Sequence, residues 1–373
     1  MLSITFIILT LLLAYSFIFY PALIHILSQH LEHPVRKSHA YQPRVSVILV
    51  VSNEESCILS RLNNLAATNY PADQIEIILV SDGSTDGTLT QAQKLNIPNL
   101  RIMEQPYSMG KAVCINAALS AATGEILVFA DARQTFATLT IRELTANFDD
   151  PSVGAASGAL EIAKGNKGTS DGLGIYWKLE KFIRHSESRL DSAIGCTGAV
   201  YAMRRSCAKP IPPDTILDDI VLPMQAALAG YRIIFDPTAT AFDPLPQDPA
   251  VENKRKERTL AGNFQMLFRY PAWLLPWKNR LWWQLISHKY LRLLSPFLLV
   301  ALLSLNLLLL PSFFFTACLI LQLLFYILAL FGWVIPHAKT PLLTAPAAFV
   351  FLNIMVVRGF FCYLDGTYSQ GWK

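Results

Sequence analysis

Apolar and polar positions divide the chain into two regimes. Residues 1–27 hold no Lys, Arg, Asp or Glu, and three further apolar blocks follow at about 293–310, 312–335 and 342–357. The first three approach the ~20 residues that a membrane-spanning helix needs, whereas the last is shorter and reads as re-entrant or as continuing past Arg358. Between these ends, short β-branched runs alternate with helix-like stretches. Val45 to Val51, Glu76 to Val80, Arg101 to Gln105 and Glu125 to Asp131 read as strands; Ser56 to Thr68, Thr88 to Lys94 and Gly110 to Ala122 read as helices. This βαβα alternation predicts an α/β fold, Rossmann-like, with a mostly parallel sheet and helices on both faces.

Composition changes the picture in one respect: with 53% hydrophobic residues in 373, part of the chain belongs in a bilayer. A cleaved signal peptide competes for the first block, but the block lacks a basic n-region and exceeds the usual ~7 to 15-residue apolar core. An uncleaved anchor is expected. Arg36, Lys37 and Arg44 against the single Glu32 then put the N-terminus outside and the next segment in the cytoplasm. The expected organisation is a transmembrane anchor at 1–28, a cytoplasmic domain at 41–268, an interfacial amphipathic segment at 269–290 and a C-terminal transmembrane region at 291–373. The interfacial reading rests on Trp273, Trp277, Trp282 and Trp283 interleaved with Lys278, Arg280, His288 and Lys289, cations that need water or phosphate. The chain is thus expected to be a multi-pass protein of the inner (cytoplasmic) membrane.

The six cysteines form no CxxC pair and no zinc-spaced cluster, as expected of reduced thiols. A net charge of +4 and the lack of any recognition signature exclude nucleic acid as a partner.

In parallel sheets ligands bind beyond the carboxyl ends of the strands. The loops at those ends read SNEE (52–55), SDGSTDGT (81–88) and DARQ (131–134). SDGSTDGT is either a capped turn or a nucleotide site, since Asp after a strand can accept hydrogen bonds from a base or ribose. MGKA (109–112) is not a P-loop: Gln105 and Ala112 stand where that motif has Gly and Ser/Thr. LDD (217–219) puts two carboxylates at the start of an apolar helical pattern, which suits a helix dipole and acid–base chemistry alike. Tyr176 to Arg184 reads as an amphipathic scaffold helix in which Glu180 and Arg184, four apart, can pair.

SNEE, SDGSTDGT, MGKAVCINAAL (109–119), FADARQ (129–134), GCTGAVYAMRR (195–205) and the run from Leu217 to Phe242, in this order, resemble the family 2 glycosyltransferases, in particular bacterial polysaccharide or poly-N-acetylglucosamine-type synthases. The resemblance covers about 41–268. It implies a GT-A fold, a nucleotide-sugar donor, a UDP-sugar foremost, and a saccharide or lipid-linked acceptor at the membrane. It also implies that Asn53, Glu54 and Asp82 contact the base and ribose, that Lys111 lies near the pyrophosphate, and that Asp131 binds Mg2+ or Mn2+. Asp219 corresponds to the catalytic base and Asp218 to the acidic residue before it, with Gly198 and Arg258 on the acceptor side.

Two departures stand out. Arg133 replaces the second Asp of the metal-binding pair; two residues on in an extended segment, it can hold the diphosphate or pair with Asp131. In Arg255 to Thr259, the counterpart of the Gln-x-x-Arg-Trp motif of processive members, Arg258 remains but Gln and Trp are gone. The expected function is inverting sugar transfer in extracellular or cell-envelope polysaccharide synthesis. The competing expectations are a single transfer to a lipid acceptor and a catalytically silent nucleotide-sugar-binding export subunit.

Overall fold

The structure, a computed structural model, describes residues 1–162, 171–244, 249–335 and 340–369. Parts of the expected domain (163–170 and 245–248) and of the C-terminal region (336–339 and 370–373) lie outside them. Strands β1 (Val45–Val51), β2 (Ile75–Asp82), β3 (Leu100–Gln105) and β4 (Ile126–Ala130) form the expected parallel half. Every residue of β1 is buried, because it lies between β2 and β4 and is covered on both faces; hence its nearly all-apolar run VSVILVV. Helices α1 (Ile58–Ala66), α2 (Thr88–Gln93) and α3 (Lys111–Ala121) connect these strands.

The sheet then turns mixed. Two-residue β5 (Thr135–Phe136), β6 (Val153–Ile162), β7 (Val200–Arg204) and β8 (Arg232–Asp243) complete eight strands in the order β3-β2-β1-β4-β7-β6-β8-β5. β7 runs antiparallel to β4 and β6, while β6 and β8 are parallel. Phe129 on β4 and Tyr201 on β7 stack with ring centroids 4.3 Å apart. The sheet as a whole stays mostly parallel as expected, with β7 and β5 as its antiparallel strands.

Helix α5 (Asp218–Leu228) packs on the sheet, and helices α4 (Asp171–Leu190) and α6 (Pro249–Arg269) pack against helices long and apolar enough to cross a membrane, four among the described residues. These are Leu2–His30, Trp282–Leu308, Phe313–Val334 and Pro341–Leu364. The last continues past Arg358, whose guanidinium meets Glu257 of α6 at 3.3 Å. In the stretch after the first apolar helix, Lys37 pairs with Asp236 at 2.7 Å and Arg36 with Asp149 at 2.7 Å, tying it to the sheet domain.

Segment 269–290, expected to be interfacial and amphipathic, is not one continuous helix. A short turn at Pro271–Leu274 buries Trp273, which stacks on Tyr270 at 4.3 Å, and Trp282 already begins the next apolar helix. Several of the cations meet carboxylates distant in sequence: Arg280 meets Asp191 at 2.7 Å, and buried His288 lies between Glu180 (2.9 Å) and Glu187 (3.0 Å). Only Trp277, 74% exposed, keeps the character expected of a membrane-surface ring. The anticipated Glu180–Arg184 pair is also absent from the described contacts. Glu180 turns to His288 and Lys289, and Arg184 turns the other way to Ser157 and Thr197.

Candidate active site

Parallel register brings the ends of β1, β2 and β4 to one edge, with Val51 opposite Ser81 and Leu49 opposite Ala130. The loops that follow meet there. Asn53, in the left-handed region at φ 51°, accepts from the Thr85 backbone N–H at 2.7 Å, and Glu54 N donates to Thr88 Oγ1 at 2.8 Å. These two contacts lock the first loop to the second.

Asp82, expected to face the base or ribose, is fully buried. Its carboxylate accepts from Ser108 Oγ at 2.8 Å and from the backbone N–H groups of Met109 (2.6 Å) and Gly110 (3.1 Å). Negative charge on the N-terminal amides of a helix is a favourable arrangement. The carboxylate thereby fixes the start of α3, where Gly110 takes φ 96° and Lys111 begins the helix. Asp82 thus reaches the site through the loop it holds.

Lys111 is the centre of the cluster. Its ammonium lies 3.1 Å from Asp131 Oδ1 and 3.5 Å from Asp218 Oδ1. Burial alone depresses a lysine, but Asp131, Asp218 and Asp219 outweigh burial and hold it above the usual lysine range. Lys111, Asp131, Asp218 and Gly198 line one pocket with the apolar ends of β1 and β4. Asp219, next along α5, is raised to about 6, first by burial and then by repulsion from Asp218, with Lys111 opposing. A Cβ added at Gly198 would lie 3.0 Å from Asp219 Oδ2, a contact that would press on the carboxylate. Arg258 of α6 is held below the usual arginine value by burial and stabilised by Asp218, Asp131 and Asp219; the structure brings it to the same cluster.

Arg133 does not make the pair with Asp131 that was one of its two anticipated roles. The chain bends after β4, so the i, i+2 alignment is lost, and Arg133 Nε meets Glu54 Oε1 at 3.3 Å. Asp131 pairs with Lys111 instead. Two residues that sequence patterns missed set this loop. Buried Arg61 donates from Nε to the Asp131 carbonyl at 2.9 Å, and Asn64 exchanges hydrogen bonds with the Phe136 backbone at 2.8 and 2.9 Å. The available signal was a charged side chain on the apolar face of α1, in line with Ile58, Leu62 and Leu65.

The donor set fits a hard divalent cation in a limited way. Among the described residues no three His, Cys, Asp or Glu side chains converge on one point. Asp131 keeps one oxygen beside that used by Lys111, with its side chain 35% exposed. One carboxylate suffices for Mg2+ that draws its other ligands from phosphates and water.

Comparison with known proteins agrees with this architecture. Residues 46–211 match the family described as Glycosyl transferase family 2. The probable glycosyltransferase YdaM of Bacillus subtilis is 23% identical over 252 residues, 64% of this chain and 59% of that protein. The poly-beta-1,6-N-acetyl-D-glucosamine synthase of Staphylococcus aureus (strain COL) is 26% identical over 235 residues, 60% of this chain and 56% of that protein. The matches thus span little more than half the length of these relatives. Among solved structures, the mannosyltransferase PcManGT of Pyrobaculum calidifontis, in complex with GDP-Man and Mn2+, superposes with a TM-score of 0.73 at 25% identity, over 98% of this chain and 99% of that one. Residues 46–211 thus match a family 2 glycosyltransferase domain, and the mixed sheet has the GT-A fold of similar solved glycosyltransferases.

Proposed function

We propose that this protein is an inverting glycosyltransferase that moves a sugar from a nucleoside diphosphate donor to a membrane-associated acceptor. The observation that carries the proposal is the cluster at the strand ends, where Asp131 and Asp218 share Lys111 beside a raised Asp219. Asp219 takes the proton of the acceptor hydroxyl as that oxygen attacks the anomeric carbon. With a value of about 6 it is mostly ionised at neutral pH and still basic enough to accept the proton. Asp218 holds the Lys111 ammonium from one side, and Lys111 offers its positive charge to the diphosphate. Asn53, Glu54 and Arg133 border the donor side, Asp82 fixes the loop before Lys111, and Gly198 and Arg258 border the acceptor side. Asp131 would hold Mg2+ or Mn2+ through its open oxygen; such a cation neutralises the departing diphosphate when bound.

The similar mannosyltransferase, solved with GDP-Man and Mn2+, supports a nucleoside diphosphate sugar and a divalent cation. A GDP-sugar therefore stands beside the UDP-sugar as donor. Exposed Thr259 in place of an aromatic residue favours one sugar added to a lipid-linked acceptor over polymer extension. In this reading the apolar helices span the inner membrane and the catalytic domain faces the cytoplasm. The test is to incubate membranes containing the protein with labelled UDP- and GDP-sugars and to weigh the product. One glycolipid, heavier by a single sugar, is expected. A ladder of polymers would establish extension instead, and donor binding without transfer or hydrolysis would overturn the enzymatic reading.

A further inference from the structure

We infer that Arg184 is a positioning residue for the proposed base, acting through the loop Gly195–Gly198; this rests on reading Asp219 as that base. The loop encloses Asp219 on two sides. Cys196 N donates to the Asp219 carbonyl at 2.7 Å. Gly195 takes φ 73°, and a Cβ there would lie 3.2 Å from the same carbonyl and 2.8 Å from Ile220 Cγ1. On the side-chain end, the missing Cβ of Gly198 leaves the space beside Asp219 Oδ2, where an added Cβ would lie 3.0 Å away. A shift of the loop therefore moves the Asp219 backbone and carboxylate together.

Arg184 of α4 is what holds the loop. Nη1 donates to Thr197 Oγ1 at 2.9 Å, and Nη2 to Ser157 Oγ at 2.9 Å and to the Gly195 carbonyl at 3.4 Å. The guanidinium also lies over the Phe235 ring at 5.2 Å, which sets its plane. Ser157 closes the arrangement by accepting from Thr197 N at 2.9 Å, while Thr197 Oγ1 donates to the Gly158 carbonyl at 3.0 Å. One planar fork thus joins α4, β6 and the loop, and a lysine ammonium cannot reproduce that geometry. Glu180 and Glu187, four residues before and three after, meet His288 of the apolar helix Trp282–Leu308. The same helix α4 that grips the membrane-region helix therefore grips the loop around Asp219.

The experiment uses the purified full-length protein and measures kcat, donor KM, equilibrium donor binding and thermal midpoint. The variants are Arg184→Gln, Arg184→Lys, Thr197→Val, Asp219→Asn and the Arg184→Gln/Asp219→Asn double. Misplacing a catalytic group by about 1 Å costs on the order of 10²-fold, so Arg184→Gln is expected to lower kcat by roughly that factor with donor KM and donor binding within about threefold. Arg184→Lys should recover part of the loss and Thr197→Val should reproduce part of it. On Asp219→Asn, Arg184→Gln should add less than about threefold, because the two act on one step. The inference is overturned if Asp219→Asn is inactive while Arg184→Gln and Thr197→Val keep normal kcat, or if the two losses multiply. If Arg184→Gln does not fold, Thr197→Val and Arg184→Lys decide by the same criteria. Full transfer by Asp219→Asn would instead remove the base assignment itself, and this inference with it.

Discussion

Replacing Asp219 by asparagine keeps the shape of the side chain and removes its ability to take a proton. The hydrogen bond from Cys196 N ends on the Asp219 backbone carbonyl, and the Lys111 contacts to Asp131 and Asp218 do not involve its carboxylate. The substitution should leave the fold and donor binding intact. General-base assistance is worth about 10² to 10⁴-fold, or ~3 to 5 kcal/mol of barrier, and a loss of that size in kcat is expected. The same carboxylate sets a pH dependence. Burial first and Asp218 second raise its value to about 6, so the active, ionised form is favoured as pH rises through that value. Roughly nine in ten molecules are ionised at pH 7 and one in ten at pH 5, so kcat/KM should fall toward tenfold per unit below pH 6. Lys111 opposes the rise, so Lys111→Met should move the limb to higher pH. Transfer of labelled sugar by purified protein across pH 5 to 8 measures both effects. A flat profile between pH 5 and 7, or Asp219→Asn with transfer within about threefold of the parent, would refute the assignment.

Gly198→Ala puts a Cβ 3.0 Å from Asp219 Oδ2 and should lower kcat at least tenfold, by about 1.4 kcal/mol of barrier, with a normal thermal midpoint; steady-state kinetics on the folded variant decide it. Asp131→Asn should raise the divalent-cation concentration needed for half-maximal activity, whereas Arg133→Ala, losing a partly exposed bridge to Glu54, should raise donor KM and change stability by less than about 1 kcal/mol. A cation titration and a donor titration separate these two roles, and identical profiles for both variants would contradict the division. His288→Leu leaves Glu180 and Glu187 without their shared partner and should cost about 3 to 5 kcal/mol, seen as a large fall in thermal midpoint in detergent. An unchanged midpoint would mean that this cluster does not fasten α4 to the apolar helix.

The parallel half of the sheet and its loops were legible because the signals are local. A short β-branched run such as Val45–Val51 reads as a covered strand, and the loops after it carry the Asp, Gly and Ser that turns and phosphate-proximal sites require. The likeness in motif order supplied Asp131, Asp218, Asp219 and Lys111, and the fold brings these four together. Sequence also marked the apolar helices by length and composition alone.

What only tertiary structure decided is which polar group meets which. Glu180 and Arg184 sit one helical turn apart and part company, because His288 and Thr197 arrive from segments about a hundred and about a dozen residues away. Arg133 leaves Asp131 for Glu54 once the chain bends after β4, and Asp82 is drawn inward by the Ser108 hydroxyl and the amides of Met109 and Gly110. Pairing of this kind depends on distances through space that no spacing along the chain encodes. Local pattern determines where the carboxylates and cations lie along the chain; packing determines which of them face the sugar and which hold the scaffold.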